Sequence, residues 1–220
     1  MKIKEFISNE WFHLLLLLIQ IIVVASFWNN APDTVPIHWN LNGEADSFAS
    51  KEFGLLFGPM MNLIVYIVLL LLPKIDPSGK NFEKFGKTYK IIRYILSGFF
   101  FLIVLLITAV SSGIELDMTL FMTYLILIFF TIFGNFLGNI KHNYFVGIRT
   151  PWTLANLEVW RLTHRFSSKF WVFVSLIYLI IVTFIEKGYI GYVMISYLVL
   201  ISLVPVIYSF IVFKKLKNNN

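Results

Sequence analysis

Two stretches of sequence decide the fold: residues 63–72, LIVYIVLLLL, and residues 95–110, ILSGFFFLIVLLITAV. Neither has polar side chains recurring at the helical period, so neither can form the two-faced helix of a soluble bundle. Both belong to longer runs without Asp, Glu, Lys or Arg, which cover residues 11–32, 53–73, 94–114, 118–140, 170–185 and 188–213. A helix needs about 20 residues to cross a bilayer. The sequence therefore predicts an all-α integral membrane protein with six transmembrane helices, of which the short fifth is extended by snorkelling of Lys169 and Lys187.

The composition excludes several classes of protein. Of the 220 residues, 58% are hydrophobic, 18% aromatic and 14% charged, whereas about 25% are charged in a soluble domain. The mean hydropathy is +0.79, so a soluble enzyme and a disordered chain are excluded. Because the chain has no cysteine, it has no disulfide, thiolate metal site or cysteine nucleophile. The net charge of +6 reflects membrane topology, and we expect no direct contact with nucleic acid.

The distribution of Lys and Arg predicts the orientation. The N-terminus, segments 74–93 and 139–169 and the C-terminal tail carry 16 of these residues, and the opposite side has only Lys51 and Lys187. Positive loops are cytoplasmic, so both termini are predicted inside, and three segments are predicted outside: 29–53, 111–117 and 186–189. Lys2 and Lys4 precede the first run as in a signal peptide, but the sequence ASFW at 25–28 offers no small-x-small cleavage site. We therefore expect a retained first helix.

The outward segment 32–51 has the features of a short structured loop. Residues 35–39, VPIHW, predict a strand, and residues 40–43, NLNG, predict a turn in which Gly43 adopts positive φ. Three side chains are candidates for a shared metal or ligand: His38, Glu44 and Asp46. The alternative is a polar turn that packs two aromatic side chains on the membrane surface, Trp39 and Phe48.

The cytoplasmic segment 134–169 is longer. Residues 144–148, YFVGI, are β-like, and Thr150-Pro151 predicts the start of a helix that runs from about Trp152 into the fifth span. A basic surface next to Trp152 and Trp160 is predicted from four residues: Arg149, Arg161, His164 and Arg165. This surface either anchors the protein on anionic lipid or docks a cytoplasmic partner, and the residues alone leave both interpretations open.

No catalytic pattern is present in the sequence. The zinc-helix, nucleophile-elbow and phosphate-loop motifs are all missing, so we expect no catalytic residue, resident metal or cofactor. The ionisable residues lie outside the middle of the six runs, which disfavours an ion-coupled carrier. Two alternatives to a non-enzymatic membrane protein remain: a membrane-embedded hydrolase acting on lipid or peptide, and a small-solute carrier.

Both polar segments resemble known families. Residues 35–40, VPIHWN, with residues 42–44, NGE, and with Asp46 and Ser50-Lys51, resemble the DUF1648 module of many bacterial membrane proteins. Residues 139–154, NIKHNYFVGIRTPWTL, followed by Trp160 and Thr163-His-Arg165, resemble the SdpI family. One departure is His142, where that family usually carries proline. Together the two resemblances cover nearly the whole chain.

The resemblance implies a division of the chain and a set of site residues. The expected parts are a DUF1648-like module of two spans at 1–73, a basic loop at 74–93 and a four-span SdpI-like module at 94–220. The outer positions carried over are Pro36, His38, Trp39, Asn40, Gly43 and Asp46. The inner positions are Asn143, Gly147, Arg149, Thr150, Pro151, Trp152, Trp160, Thr163, His164 and Arg165. We regard the inner set as the stronger candidate, either locking the loop or contacting a partner.

The resemblance also implies a function that composition does not reveal. SdpI-type proteins are multi-span membrane proteins of Gram-positive bacteria. The implied function is immunity against a secreted, SdpC-like peptide toxin that meets the outer face. A signalling role is implied as well, in which the toxin-bound protein holds a cytoplasmic autorepressor at the cell membrane. Such a switch requires a toxin-bound conformation with higher affinity for the repressor.

Overall fold

The computed structural model describes residues 3–218. The helices in this range are α1 Ile3–Phe27, α2 Lys51–Ile75, α3 Gly86–Ser111, α4 Met118–Leu137, α5 Pro151–Ala155, α6 Leu157–Phe184 and α7 Ile190–Asn218. Two strands, β1 Thr34–Trp39 and β2 Ala45–Ser50, form a hairpin between α1 and α2. Short 3-10 helices cover Gly79–Phe85 and Lys187–Tyr189. Lys2, which the orientation argument uses, lies outside the described residues.

Six of the described helices are long and apolar enough to cross a bilayer, which confirms the predicted number of spans. They are α1, α2, α3, α4, α6 and α7. Large apolar side chains along these helices are exposed at the protein surface, as in Ile21, Leu63, Phe173 and Phe184. Lipid tails accept such surfaces, so the protein is a multi-pass membrane protein.

The fifth span is longer than predicted because α6 begins at Leu157 and has 28 residues. The charge-free run missed its first three turns, which contain Arg161, Arg165 and Lys169. These three cations are exposed and recur every four residues, so they form one stripe along the helix. The opposite face is buried. The three charged residues therefore mark one face of α6, and they do not mark the point where the helix begins.

The expected loop at 74–93 is largely helical. α2 ends at Ile75, a 3-10 helix covers Gly79–Phe85, and α3 begins at Gly86. The 3-10 helix is fixed by a buried aromatic cluster in which the ring of Phe82 lies 5.1 Å from Phe85 and 4.8 Å from Tyr89. Burial of these aromatic rings thus orders a segment whose lysine content is typical of a loop.

The hairpin confirms the predicted strand at 35–39 and the predicted turn. β1 and β2 pair antiparallel, and Gly43 has φ of +85° in the turn between them. The register is irregular next to Pro36, which has no backbone N–H for the ladder. Val35 is fully buried against Gly54 of α2, where any larger side chain would collide with it. The hairpin is therefore packed onto the start of α2.

Three prolines lie inside the long helices, Pro59, Pro73 and Pro205, and for two of them a neighbouring helix supplies a donor to the carbonyl that the proline leaves without one. Pro205 of α7 cannot donate to Ile201, and the indole N–H of Trp171 on α6 donates to that carbonyl at 2.9 Å. Pro73 of α2 likewise cannot donate to Leu69, whose carbonyl accepts a hydrogen bond from the hydroxyl of Tyr89 on α3. In both cases an aromatic side chain of a neighbouring helix restores the missing hydrogen bond.

The chain divides into two compact units. The first runs from the N-terminus to Val68 and from Arg93 to Leu125, and the second from Leu69 to Ile92 and from Ile126 to the C-terminus. The hairpin belongs to the first unit. The SdpI-like segment at 139–169 belongs to the second. The division at 1–73, 74–93 and 94–220 implied by the family resemblance remains a prediction.

Candidate functional site

The second unit contains an irregular segment between α4 and α5, residues 138–150, which we call the motif loop. Its centre is Asn143, which is fully buried. The Oδ1 atom accepts from the backbone N–H groups of Phe145 and Val146, and Nδ2 donates to the carbonyls of Lys141 and Val146. The β-like prediction for 144–148 is wrong, because this side chain takes the backbone groups that a strand would pair.

His164 of α6 forms the floor of the motif loop. It is fully buried, its Nδ1 is 2.9 Å from the Trp160 carbonyl, and its Nε2 accepts from the Ile148 N–H at 3.0 Å. The Nδ1–H tautomer satisfies both contacts. Gly147 lies against the Nε2 edge of the ring with φ of +121°, and an added Cβ would collide with Nε2. The absence of a side chain at Gly147 therefore leaves the room that the His164 ring occupies.

Trp160 stacks on the His164 ring with 4.0 Å between centroids, and its indole N–H donates to the Ile140 carbonyl at 2.9 Å. His142 meets the Trp160 ring edge-on, and its Nε2 donates to the Leu154 carbonyl at 3.0 Å. The imidazole of His142 thus joins the motif loop to α5.

The predicted helix start at Thr150-Pro151 is confirmed, but the helix does not run on into the fifth span. Thr150 and Thr153 form a reciprocal capping box, with Pro151 at the first helical position. α5 ends at Ala155, and Asn156 then caps α6 by accepting from the N–H groups of Glu158 and Val159. An Asn that accepts at this position starts a new helix, so the chain turns between α5 and α6.

Trp152 and Arg149 make separate contacts. The indole N–H of Trp152 donates to Ser209 Oγ of α7 at 2.5 Å, and its ring packs on Phe210. The guanidinium of Arg149 donates to the Tyr144 carbonyl at 2.6 Å. The Arg149 side chain therefore joins two parts of the motif loop, while the tryptophan ring anchors α5 to α7.

Sequence reasoning missed two residues that tie the 74–85 segment to the motif loop. The buried carboxylate of Asp76 accepts from the Ser78 N–H at 2.6 Å and from the Tyr144 N–H at 2.8 Å. The Asn81 amide donates to the His142 carbonyl at 2.8 Å. The local signal was Asp76-Pro-Ser78, a turn in which Asp accepts from the residue two positions later. Its partner 68 residues away had no local signal.

The inner family positions divide by exposure. Asn143, Thr150, Trp160, Thr163 and His164 are buried, and Gly147 and Trp152 are half-buried. The exposed positions are Arg149, Pro151 and Arg165, beside the exposed rings of Tyr144 and Phe145. The buried members build the loop. The exposed members include Arg149 and Arg165 of the predicted basic surface, whereas His164, also predicted there, is buried.

The outer family positions lie on the hairpin. His38 Nδ1 is 2.5 Å from Asp46 Oδ1 across the strands, and the Asn40 amide donates to Glu44 Oε2 at 2.9 Å. Glu44 therefore pairs with Asn40, and does not join His38 and Asp46. Within residues 3–218 no group of three His, Asp or Glu side chains is arranged to hold a metal ion. Pro36 and Trp39 lie in β1 and are half-buried.

A cluster of ionisable side chains in the first unit was not foreseen. Arg93 of α3 donates to Glu10 of α1 at 2.7 Å, and both are buried, as is His13. The sequence placed Glu10 and Arg93 in loops because they bound the apolar runs. A usable signal was their spacing, since Glu10 and His13 share one face of α1, as Arg93 and Ser97 share one face of α3.

The fold and these two segments define a multi-pass membrane protein with a structured loop ahead of its last two spans. The SdpI/YfhL protein family model matches residues 139–209, and the model of a domain of unknown function, DUF1648, matches residues 15–63. The chain is 30% identical over 191 residues to the immunity protein SdpI of Bacillus subtilis (strain 168), covering 86% of this chain and 87% of that protein. The chain therefore belongs to the SdpI family. No solved structure matches the fold.

Proposed function

We propose that this protein is a bacterial immunity protein that protects the cell membrane against a secreted, SdpC-like peptide toxin. The observation that carries the proposal is the 30% identity to an immunity protein across 86% of the chain. That relative is named for immunity and not for a reaction, which supports a non-enzymatic role. The lipid bilayer is the first partner, since six helices suit it.

The hairpin is the proposed contact for the peptide. Its exposed acidic residues Asp33, Glu44 and Asp46 would attract a cationic peptide. The exposed apolar side chains Leu41 and Phe48 would contact an amphipathic one. This role requires the hairpin to be outside, as the split of 16 to 2 Lys and Arg residues predicts.

A cytoplasmic autorepressor is the proposed partner of the opposite face. The exposed residues Arg149 and Arg165 lie in the motif loop and next to it on α6, and they would face the cytoplasm in this orientation. In the proposed signal, peptide on the hairpin raises the affinity of this basic surface for the repressor. The fluorescence of a tagged repressor would then move to the membrane when peptide is added, and only in cells that express the protein.

The test of immunity is a killing assay in a sensitive Gram-positive host exposed to an SdpC-like peptide. Four strains are compared at matched membrane level: empty vector, wild type, Arg149→Gln and Lys141→Gln. The wild type is expected to raise the lethal peptide concentration several-fold, and Arg149→Gln to lose much of that protection. Lys141→Gln removes an exposed cation from the same loop and serves as the matched control.

Each outcome of the assay has a defined meaning. Failure of the wild type to protect contradicts immunity. Equal protection by all three proteins supports immunity and removes Arg149 from its mechanism. Orientation is tested separately, because the chain lacks cysteine and single cysteines are unambiguous. An impermeant maleimide applied to whole cells should label Ser47→Cys and not Lys141→Cys.

A further inference from the structure

The buried faces of α1, α2 and α3 in the first unit carry a line of polar side chains. Along α1 the buried positions include Glu10, His13, Gln20 and Val24, spaced three, seven and four residues apart. All four lie on one helical face. Gln20 and Asn62 of α2 are joined by a 3.0 Å hydrogen bond, and the Asn62 amide also lies 3.4 Å from the Ser97 carbonyl of α3.

The line begins with charged groups near the ends where α1 and α3 start. The Arg93 and Glu10 side chains retain 9% and 7% exposure, whereas His13 and Gln20 retain none. Tyr94 of α3 donates to the Asn9 carbonyl at this same end. The ion pair therefore lies at the end of the line that is nearest the starts of α1 and α3.

His13 is held in a defined orientation. Its Nδ1 is hydrogen-bonded to Ser97 Oγ, and its ring stacks on Tyr66 of α2 with centroids 3.6 Å apart. The Arg93 guanidinium lies 6.0 Å from the same Tyr66 ring. Within residues 3–218, no hydrogen-bond partner is found for His13 Nε2, Gln20 Nε2 or Asn62 Oδ1. Three fully buried polar atoms along this line thus retain the capacity for a further hydrogen bond.

An apolar layer ends the line. Val24, Leu55 and Val104 form a buried cluster one turn beyond Gln20 on α1 and two turns beyond Ser97 on α3. Gly58 of α2 brings the helices so close that an added Cβ would lie 2.6 Å from Val104. Beyond this layer α3 carries the buried hydroxyls of Thr108 and Ser111. The polar residues therefore form two stretches separated by one layer of valine and leucine.

We propose that the stretch from Glu10 to Asn62 is a proton-binding site, open at the end where α1 and α3 begin and closed by the Val24–Leu55–Val104 layer. A proton passes from hydronium to the lone pair of His13 Nε2, which leaves one water molecule, and it returns to water by the same route. Ser97 Oγ accepts from Nδ1–H and so keeps Nε2 as the basic nitrogen. The facing titratable and charged groups are Glu10, Tyr66, Arg93 and Tyr94.

Two general arguments favour this role over a purely structural one. Ionisable side chains in membrane helices are rare, and chains of Glu and His within them mark proton relays. A buried ion pair is also weak evidence for stability, because desolvation opposes the attraction between the charges. Glu10 places a carboxylate on the same face of α1 as His13, one helical turn away.

The experiment replaces one side chain of the apolar layer with a polar one, so that the two polar stretches are no longer separated. The full-length protein is reconstituted into phospholipid vesicles with a pH-sensitive dye inside, and proton entry is driven by a potassium diffusion potential. The wild type should admit protons no faster than protein-free vesicles. Val104→Asn should raise the rate about tenfold by lowering the barrier at the layer. Adding His13→Phe to Val104→Asn should return the rate to that of the wild type.

Matched variants make the result specific. Leu102→Asn places the same amide on an exposed face of α3 and should not raise proton entry. Combining His38→Phe with Val104→Asn should leave the leak unchanged, because His38 lies on the hairpin. If Val104→Asn does not fold, Val104→Ser provides a smaller change at the same position. A leak that persists without His13 overturns the proposal, as does the absence of a leak in both folded Val104 variants.

Discussion

The indole N–H of Trp171 donates to the carbonyl oxygen of Ile201 at 2.9 Å, which joins α6 to α7. The acceptor is the carbonyl that Pro205 leaves without an intrahelical donor. An unpaired carbonyl in lipid is costly. The proline and the tryptophan therefore form a compensating pair on two helices.

Trp171→Phe is expected to lower the free energy of unfolding by about 1–3 kcal/mol, the cost of a buried acceptor left unpaired. The measurement is denaturant unfolding in mixed micelles. Pro205→Ala restores an N–H that can donate to Ile201 within α7, so adding it to Trp171→Phe should recover part of the loss. A double variant as unstable as the sum of the two single variants would argue against the pairing.

Gly147→Ala is expected to destabilise the motif loop by about 1–3 kcal/mol, because alanine does not readily adopt the positive φ at this position. The new Cβ would also collide with the His164 ring. The melting temperature should fall by about 2–4 °C for each kcal/mol in a chain of this size. Gly98→Ala is the control, since its Cβ would have nothing within 4 Å. Equal melting temperatures for the two variants would contradict the contact.

Asp76→Asn is expected to loosen the motif loop without unfolding the helices. One carboxylate oxygen becomes an NH2 group that meets a backbone N–H, and a hydrogen bond to a charged group contributes about 1.5–3 kcal/mol. Trypsin should then cut after Lys141 or Arg149 faster than in the wild type. Glu83→Gln removes an exposed carboxylate from the adjacent 3-10 helix and should leave the cutting rate unchanged. Unaltered cutting in Asp76→Asn would refute the link.

His38→Ala separates structure from function on the hairpin. The side chains of His38 and Asp46 are 67% and 42% exposed, and such pairs contribute about 0–1 kcal/mol. The melting temperature should therefore barely change. If the hairpin meets the peptide, protection in the killing assay should fall at unchanged membrane level, whereas Ser47→Ala, on the neighbouring strand, should protect fully. Full protection by His38→Ala would exclude this side chain from the contact.

Local patterns predicted the parts of the fold that depend on neighbouring residues. Apolar runs gave the six spans, Gly43 gave the hairpin turn, and Thr150-Pro151 gave the start of α5. The charge-free run for the fifth span begins only after Arg161, Arg165 and Lys169, although these residues lie within α6. Their spacing of four residues, a helical stripe, would have corrected the boundary.

Long-range partners had no such signal. Asp76 and Tyr144 meet across 68 residues, and Glu10 and Arg93 across 83. Both acidic residues follow or precede apolar runs, where charge normally indicates water. Each is buried because a specific donor from another segment pairs with it. From the sequence alone, such a residue cannot be distinguished from a solvated one, because the segment that pairs with it is not known.

The hydrogen bonding of the motif loop has a consequence for where this segment can reside. Several backbone groups between Lys141 and Ile148 are paired by the side chains of Asn143, Asp76 and His164, so these groups do not need water to satisfy them. Irregular backbone is tolerated at membrane depth when protein groups satisfy it. The loop can thus sink among the headgroups, or follow the bilayer as it thins and thickens, without unfolding.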